Sequence, residues 1–129
     1  MKVDKKRFIY LISPNKIKKS FYTNLKIVLR SNLVSFFQLR LKKYSLIEKE
    51  KISKKIKKIC KKYKVKLIVN DDPNLAKEIS ADGCHLGQSD MNIQCARKIL
   101  RKKIIGITCH NSKKLIRHAI KNLSLIHIS

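Results

Sequence analysis

The stretch VKLIVNDDPNLAKEISADGCHLGQSD, Val65 to Asp90, holds two strand candidates with a short helix candidate between them. VKLIVND is a short apolar run rich in Val, Leu and Ile that ends on the polar Asn70 and Asp71, the mark of a buried strand with a polar exit. Asn74 can cap a helix that runs through Leu75 and Ala76 as far as Ser80. GCHLG follows as the next strand candidate and leads into Gln88 and Asp90. Strand, crossover helix and strand in so short a span predict parallel strands with helices covering the sheet.

The same alternation extends in both directions. FIYLIS near Phe8, SFFQLRLK near Phe37 and IIGITCH near Ile105 read as further strands. Lys16 to Arg30, Ser45 to Tyr63, Ile93 to Leu100 and Ser112 to Asn122 read as helices, the last capped by Asn111 or Ser112. An open doubly wound sheet and a (β/α) barrel both fit this order. Lys42, Asn70 with Asp71, Gln88 with Asp90, and Thr108 each follow the apolar part of a strand. That edge is where parallel α/β folds bind substrates.

Composition bounds the function. The 129 residues amount to a single domain's worth of chain, 1–129, and 43% of them are hydrophobic, enough for a core without disulfide or metal staples. Only 2 Pro and 3 Gly are present, so no low-complexity linker divides the chain. No apolar run approaches the roughly 18 residues of a bilayer span. FIYLI is shorter than a signal-peptide core, and the expected compartment is the cytoplasm. Cys60, Cys84, Cys95 and Cys109 form no C-x-x-C pair and read as reduced thiols near a core. Cys84–His85 and Cys109–His110 suggest a metal cluster only if both pairs converge. Neighbours on a strand point to opposite faces, which argues against it.

The 32 Lys and Arg against 8 Asp and Glu give a net charge of +24, which raises nucleic-acid binding as a function. The excess is mostly Lys accompanied by Ile and Asn, a mixture that an AT-rich genome produces without any ligand. KISKKIKKICKKYK, Lys51 to Lys64, places Ile52, Ile56, Ile59 and Tyr63 at helical spacing. The reading is a helix with its core side apolar and its lysines solvated, rather than one for RNA or an anionic membrane. The acids carry more information: Asp71, Asp72, Glu78, Asp82 and Asp90 fall in one short stretch, where chance would place about one of the eight. Such a concentration in a basic chain suggests a cation site.

Two constellations carry chemistry. In SFFQLRLK, period-2 alternation puts Gln38, Arg40 and Lys42 on one face and Leu39 and Leu41 on the other. Turned inward, two cations and an amide would take a phosphate or diphosphate; turned outward, they are a solvated edge strand. VNDD and HLGQSD bring Asp71 and Asp90 to the ends of neighbouring strands, where carboxylates can share one Mg²⁺. The plainer alternative is that Asp72 caps the next helix and Asp90 a turn.

QLRLK (Gln38 to Lys42), VNDDPNLA (Val69 to Ala76), ADGCHLGQSD (Ala81 to Asp90) and GITCH (Gly106 to His110), in this order and spacing, resemble the thiamine-phosphate synthase family, from about Phe36 to about Ala119. The resemblance implies a (β/α)8 TIM-type barrel with about its first five β/α units present. It implies an enzyme that condenses hydroxymethylpyrimidine diphosphate with thiazole phosphate to give thiamine phosphate and pyrophosphate. Gln38, Leu39, Arg40, Leu41, Lys42, Asn70 and Thr108 would bind substrate, with Arg40 and Lys42 as the catalytic cations on the diphosphate. Asp71 and Asp90 would hold Mg²⁺, and Thr108 would lie beside the pyrimidine. His85 and His110 would be structural or supporting residues rather than general bases. The implied partners are small-molecule substrates, with no membrane and no nucleic acid.

The sequence departs from the family in having Thr108 where Ser is usual. Its tail, NLSLIHIS, does not match the family over residues 123–129. A complete barrel takes roughly 200 residues or more, so a C-terminally truncated chain lacking the thiazole-phosphate loops, and inactive alone, is the expectation. A thiazole tautomerase-like paralogue, which would work without Mg²⁺, and a basic nucleic-acid-binding module are the alternative functions.

Overall fold

The computed structural model describes residues 9–87, 92–108 and 125–127, the last three as a backbone strand. The chain divides into two compact units, Met1–Leu67 and Ile68–Ser129.

The first unit contains β1 (Ile9–Ile12), α1 (Lys19–Leu29), β2 (Val34–Leu39) and α2 (Leu46–Lys62). β1 and β2 pair in parallel, with Ile12 opposite Gln38. Leu25 and Leu29 of α1, Phe37 of β2, and Ile56 and Cys60 of α2 are buried, and the Phe21 ring lies 6.0 Å from that of Phe37. α1 starts at Lys19 rather than Lys16; the Ile17 N–H is donated to the Tyr44 hydroxyl at 2.9 Å. α2 occupies its expected span between Ser45 and Tyr63 as caps. Ser45 and Glu48 form a capping box, each accepting from the other's backbone N–H, and the Ser45 N–H donated to the Glu48 carboxyl, followed by the Ser45 side chain, holds that carboxyl below its ordinary pKa. Ile56 and Ile59 are buried while Lys51, Lys54, Lys55, Lys58, Lys61 and Lys62 are exposed. The apolar stripe of this basic helix is therefore its core side, as the spacing predicts.

The alternation expected through Lys42 does not hold. β2 stops at Leu39, and Phe37, Gln38 and Leu39 are buried in succession. A strand covered on both faces buries consecutive residues instead of every second one, so period 2 could not sort this segment into an inner and an outer face.

The second unit contains most of β3 (Lys66–Asn70), then α3 (Pro73–Glu78), β4 (Gly83–Leu86), α4 (Ile93–Leu100), β5 (Ile104–Thr108) and β6 (Leu125–His127). Each strand pairs in parallel with the next: Asn70 stands opposite His85, His85 opposite Gly106, and Thr108 opposite His127. β6 lies in the tail to which the sequence reading gave no element. Gly83 is required where β4 meets β5, because a Cβ there would overlap the Ile104 carbonyl oxygen and come within 2.6 Å of the Ile104 Cβ.

The cap of α3 is a correction. Asp72, not Asn74, caps it, with Oδ1 accepting the Leu75 N–H at 3.0 Å. Pro73 takes the first helical position, where its fixed φ and missing N–H cost nothing, which leaves the residue before it as the cap. α4 matches its expected span, and Asn92 caps it by accepting the Gln94 and Cys95 N–H groups. Among the described residues no helix is long and apolar enough to cross a membrane. The helix expected over Ser112 to Asn122 with its cap, together with Gln88, Asp90, Cys109 and His110, lies outside the described residues.

Candidate active site

In the first unit the polar residues gather at the carboxyl end of β2. The main chain turns there over Ser13, whose N–H is donated to the Gln38 carbonyl at 2.9 Å. The Ser13 hydroxyl accepts the Arg40 N–H at 2.8 Å and reaches the Pro14 carbonyl at 3.0 Å. Gln38 is only 5% exposed, and its Nε2 donates to the Tyr10 hydroxyl at 3.0 Å. Tyr10 stacks on Phe36 at 5.6 Å between centroids. Register across the β1–β2 pair fixes that amide from one side.

Arg40 is half-buried, and its Nε is shielded from solvent with no hydrogen-bond partner. A guanidinium N–H left in that state costs free energy, about 1–3 kcal/mol or more for a charged group, and an anion is the partner that recovers it. Lys42 is exposed beyond the strand, Leu41 is half-buried, and the Leu39 side chain belongs to the core. Any contact Leu39 makes with a ligand comes from its backbone.

In the second unit Asn70 ends β3, and its Nδ2 donates to Asp71 Oδ2 at 2.9 Å. Asp71 has φ 67°, a left-handed conformation that Asp tolerates better than most residues. Its N–H is donated to the His85 carbonyl at 2.7 Å. His85 Nε2 lies 3.0 Å from Thr108 Oγ1. Residues in register on parallel strands face the same side, so Asn70, His85 and Gly106 share a face, and Thr108, two residues beyond Gly106, shares it too.

The concentrated acids separate into different roles. Asp72 caps α3, as the plainer alternative held. Glu78 and Asp82 flank the amino end of β4, the opposite end from Asp71. Asp71 alone of the described acids in that stretch stands at the strand-end rim. A metal cluster of three or more His, Cys, Asp or Glu is absent among the described residues. Cys84 is fully buried and, as the neighbour of His85 on β4, faces the other side. Sequence reasoning missed Tyr10, Ser13 and the His85–Thr108 contact. Alternation in GCHLG was a usable signal for His85; nothing local pointed to Ser13 or Tyr10.

Parallel β/α units with a cation, amides, a carboxylate and a hydroxyl at the carboxyl ends of their strands define an α/β protein with its polar groups where such folds bind substrates. A family model described as thiamine monophosphate synthase matches residues 9–128, and the chain belongs to that family. It is 61% identical over 118 residues, 91% of this chain and 57% of the other, to thiamine-phosphate synthase of Pelagibacter ubique. It is 36% identical over 113 residues, covering 85% and 54%, to thiamine-phosphate synthase 1 of Streptococcus pneumoniae. The chain thus spans little more than half the length of these relatives. A solved structure, thiamine phosphate pyrophosphorylase from Pyrococcus furiosus, superposes with a TM-score of 0.85 at 23% identity over 98% of this chain and 61% of that one. That likeness shows the fold, of the barrel type expected from the sequence.

Proposed function

We propose that this chain carries the diphosphate-binding and pyrimidine-binding residues of a cytoplasmic thiamine-phosphate synthase. The observation that carries the reading is the buried, unpartnered Arg40 Nε within Gln38–Lys42 at the end of β2. Family membership supplies the ligand: the diphosphate of hydroxymethylpyrimidine diphosphate. Gln38, Arg40 and Lys42 hold that group, and Arg40 and Lys42 stabilise the negative charge that develops on the departing pyrophosphate. Asn70 contacts the same substrate and Thr108 lies beside its pyrimidine, which carries the resulting positive charge until the nitrogen of thiazole phosphate captures it. No protein nucleophile is needed.

Asp71 fits Mg²⁺ by donor type: its carboxylate supplies hard oxygens, and Asn70 holds one of them. Asp71, with Asp90, would hold the ion, which when bound neutralises charge on the diphosphate. Calorimetric titration of the chain with hydroxymethylpyrimidine diphosphate tests the reading. Binding that weakens at least about tenfold when Mg²⁺ is chelated, and no longer responds to Mg²⁺ in Asp71→Ala, is expected. Binding indifferent to Mg²⁺ and to Asp71 would favour the tautomerase-like alternative, and no binding would remove the synthase reading.

A further inference from the structure

Two contacts made by His85 have no part in the roles given above. Its carbonyl accepts the Asp71 N–H at 2.7 Å, and its Nε2 lies 3.0 Å from Thr108 Oγ1. One residue of β4 thus touches the end of β3 through its backbone and the end of β5 through its ring. The imidazole is half-buried and in register with Asn70 on one side and Gly106 on the other. Gly106 carries no side chain, and Thr108 is the next residue on the same face of that strand.

We infer that His85 is a positioning residue that fixes the Thr108 hydroxyl, and so determines how that hydroxyl meets an aminopyrimidine ring. A threonine hydroxyl has one proton to give and rotates to suit its partners. In contact with Nε2 it loses that freedom. If Nε2 carries the ring proton, Thr108 keeps its own proton for a ring nitrogen; if it does not, Thr108 turns a lone pair outward. Either state gives Thr108 one defined polarity in place of an average over rotamers. The role concerns discrimination for the pyrimidine because Thr108, the group that the ring holds, is the one read as lying beside that pyrimidine. It rests on the functional reading above.

The experiment compares hydroxymethylpyrimidine diphosphate with inorganic pyrophosphate, both with Mg²⁺, by calorimetry on the 129-residue chain. The unsubstituted chain is expected to prefer the pyrimidine compound. His85→Leu should reduce that preference about tenfold while leaving pyrophosphate affinity within about twofold, the latter serving as the check that the fold is intact. His85→Gln, which keeps an amide within reach of Thr108, should restore most of the preference. Thr108→Val should match His85→Leu, and the double variant should be no worse than either. An unchanged preference in His85→Leu, equal loss for both probes, additive losses, or no rescue by Gln each overturns the inference while the functional reading stands. An unsubstituted chain with no preference for the pyrimidine overturns both.

Discussion

The Arg40 N–H is held by the Ser13 hydroxyl at 2.8 Å, while the Nε of the same arginine has no partner. The main chain of this residue is thus fixed and its shielded Nε is left unsatisfied, an arrangement that favours ligand binding over stability. Arg40→Met should raise the melting temperature and lower affinity for inorganic pyrophosphate at least about tenfold. Ser13→Ala should lower both, because it leaves a shielded backbone donor without its acceptor, at about 1–3 kcal/mol. Thermal melts and pyrophosphate titrations of the two variants check the contrast; an Arg40→Met chain that melts lower would contradict it.

Gly83→Ala should destabilise the second unit. The added methyl would collide with backbone as well as side chain at Ile104, and β4 and β5 are hydrogen-bonded neighbours there, so neither strand can move without cost. The expected loss is about 1–3 kcal/mol, read as a shift in urea midpoint with the slope unchanged.

The cap of α3 separates two polar residues on either side of Pro73. Asp72→Ala removes the acceptor for the Leu75 N–H and should cost about 1 kcal/mol. Asn74→Ala, at an exposed position inside the helix, should be neutral or slightly stabilising because Ala is the better helix former. Denaturant melts that rank the two variants the other way would return the cap to Asn74.

Much of this fold was legible in the residues because its signals are local. VKLIVND, GCHLG and IIGITCH are apolar runs, and each contains a strand: Lys66–Asn70, Gly83–Leu86 and Ile104–Thr108. The α2 span was expected over Ser45 to Tyr63, with its Ile spacing marking the core side, and α4 over Ile93 to Leu100. SFFQLRLK was harder: burial on both faces removed the alternation on which its inward and outward sides were to be decided. Asp72 and Asn74 were both candidate caps by residue type; the proline between them decided for Asp72.

For the site, the sequence by itself determined which chemical groups stand at strand ends, since a polar residue after an apolar run marks a strand exit wherever the strand lies. It thereby supplied Lys42, Asn70, Asp71 and Thr108 as candidates, while Arg40 came from the alternation read in SFFQLRLK. Only the tertiary structure decided which groups meet: Gln38 with Tyr10, Arg40 with Ser13, His85 with Thr108 and Asp71. The reason is physical. Hydrogen-bond geometry between strands depends on register and on distances of a few tenths of an ångström, and register is fixed by how the helices and strands pack together, a property that no short stretch of the chain contains.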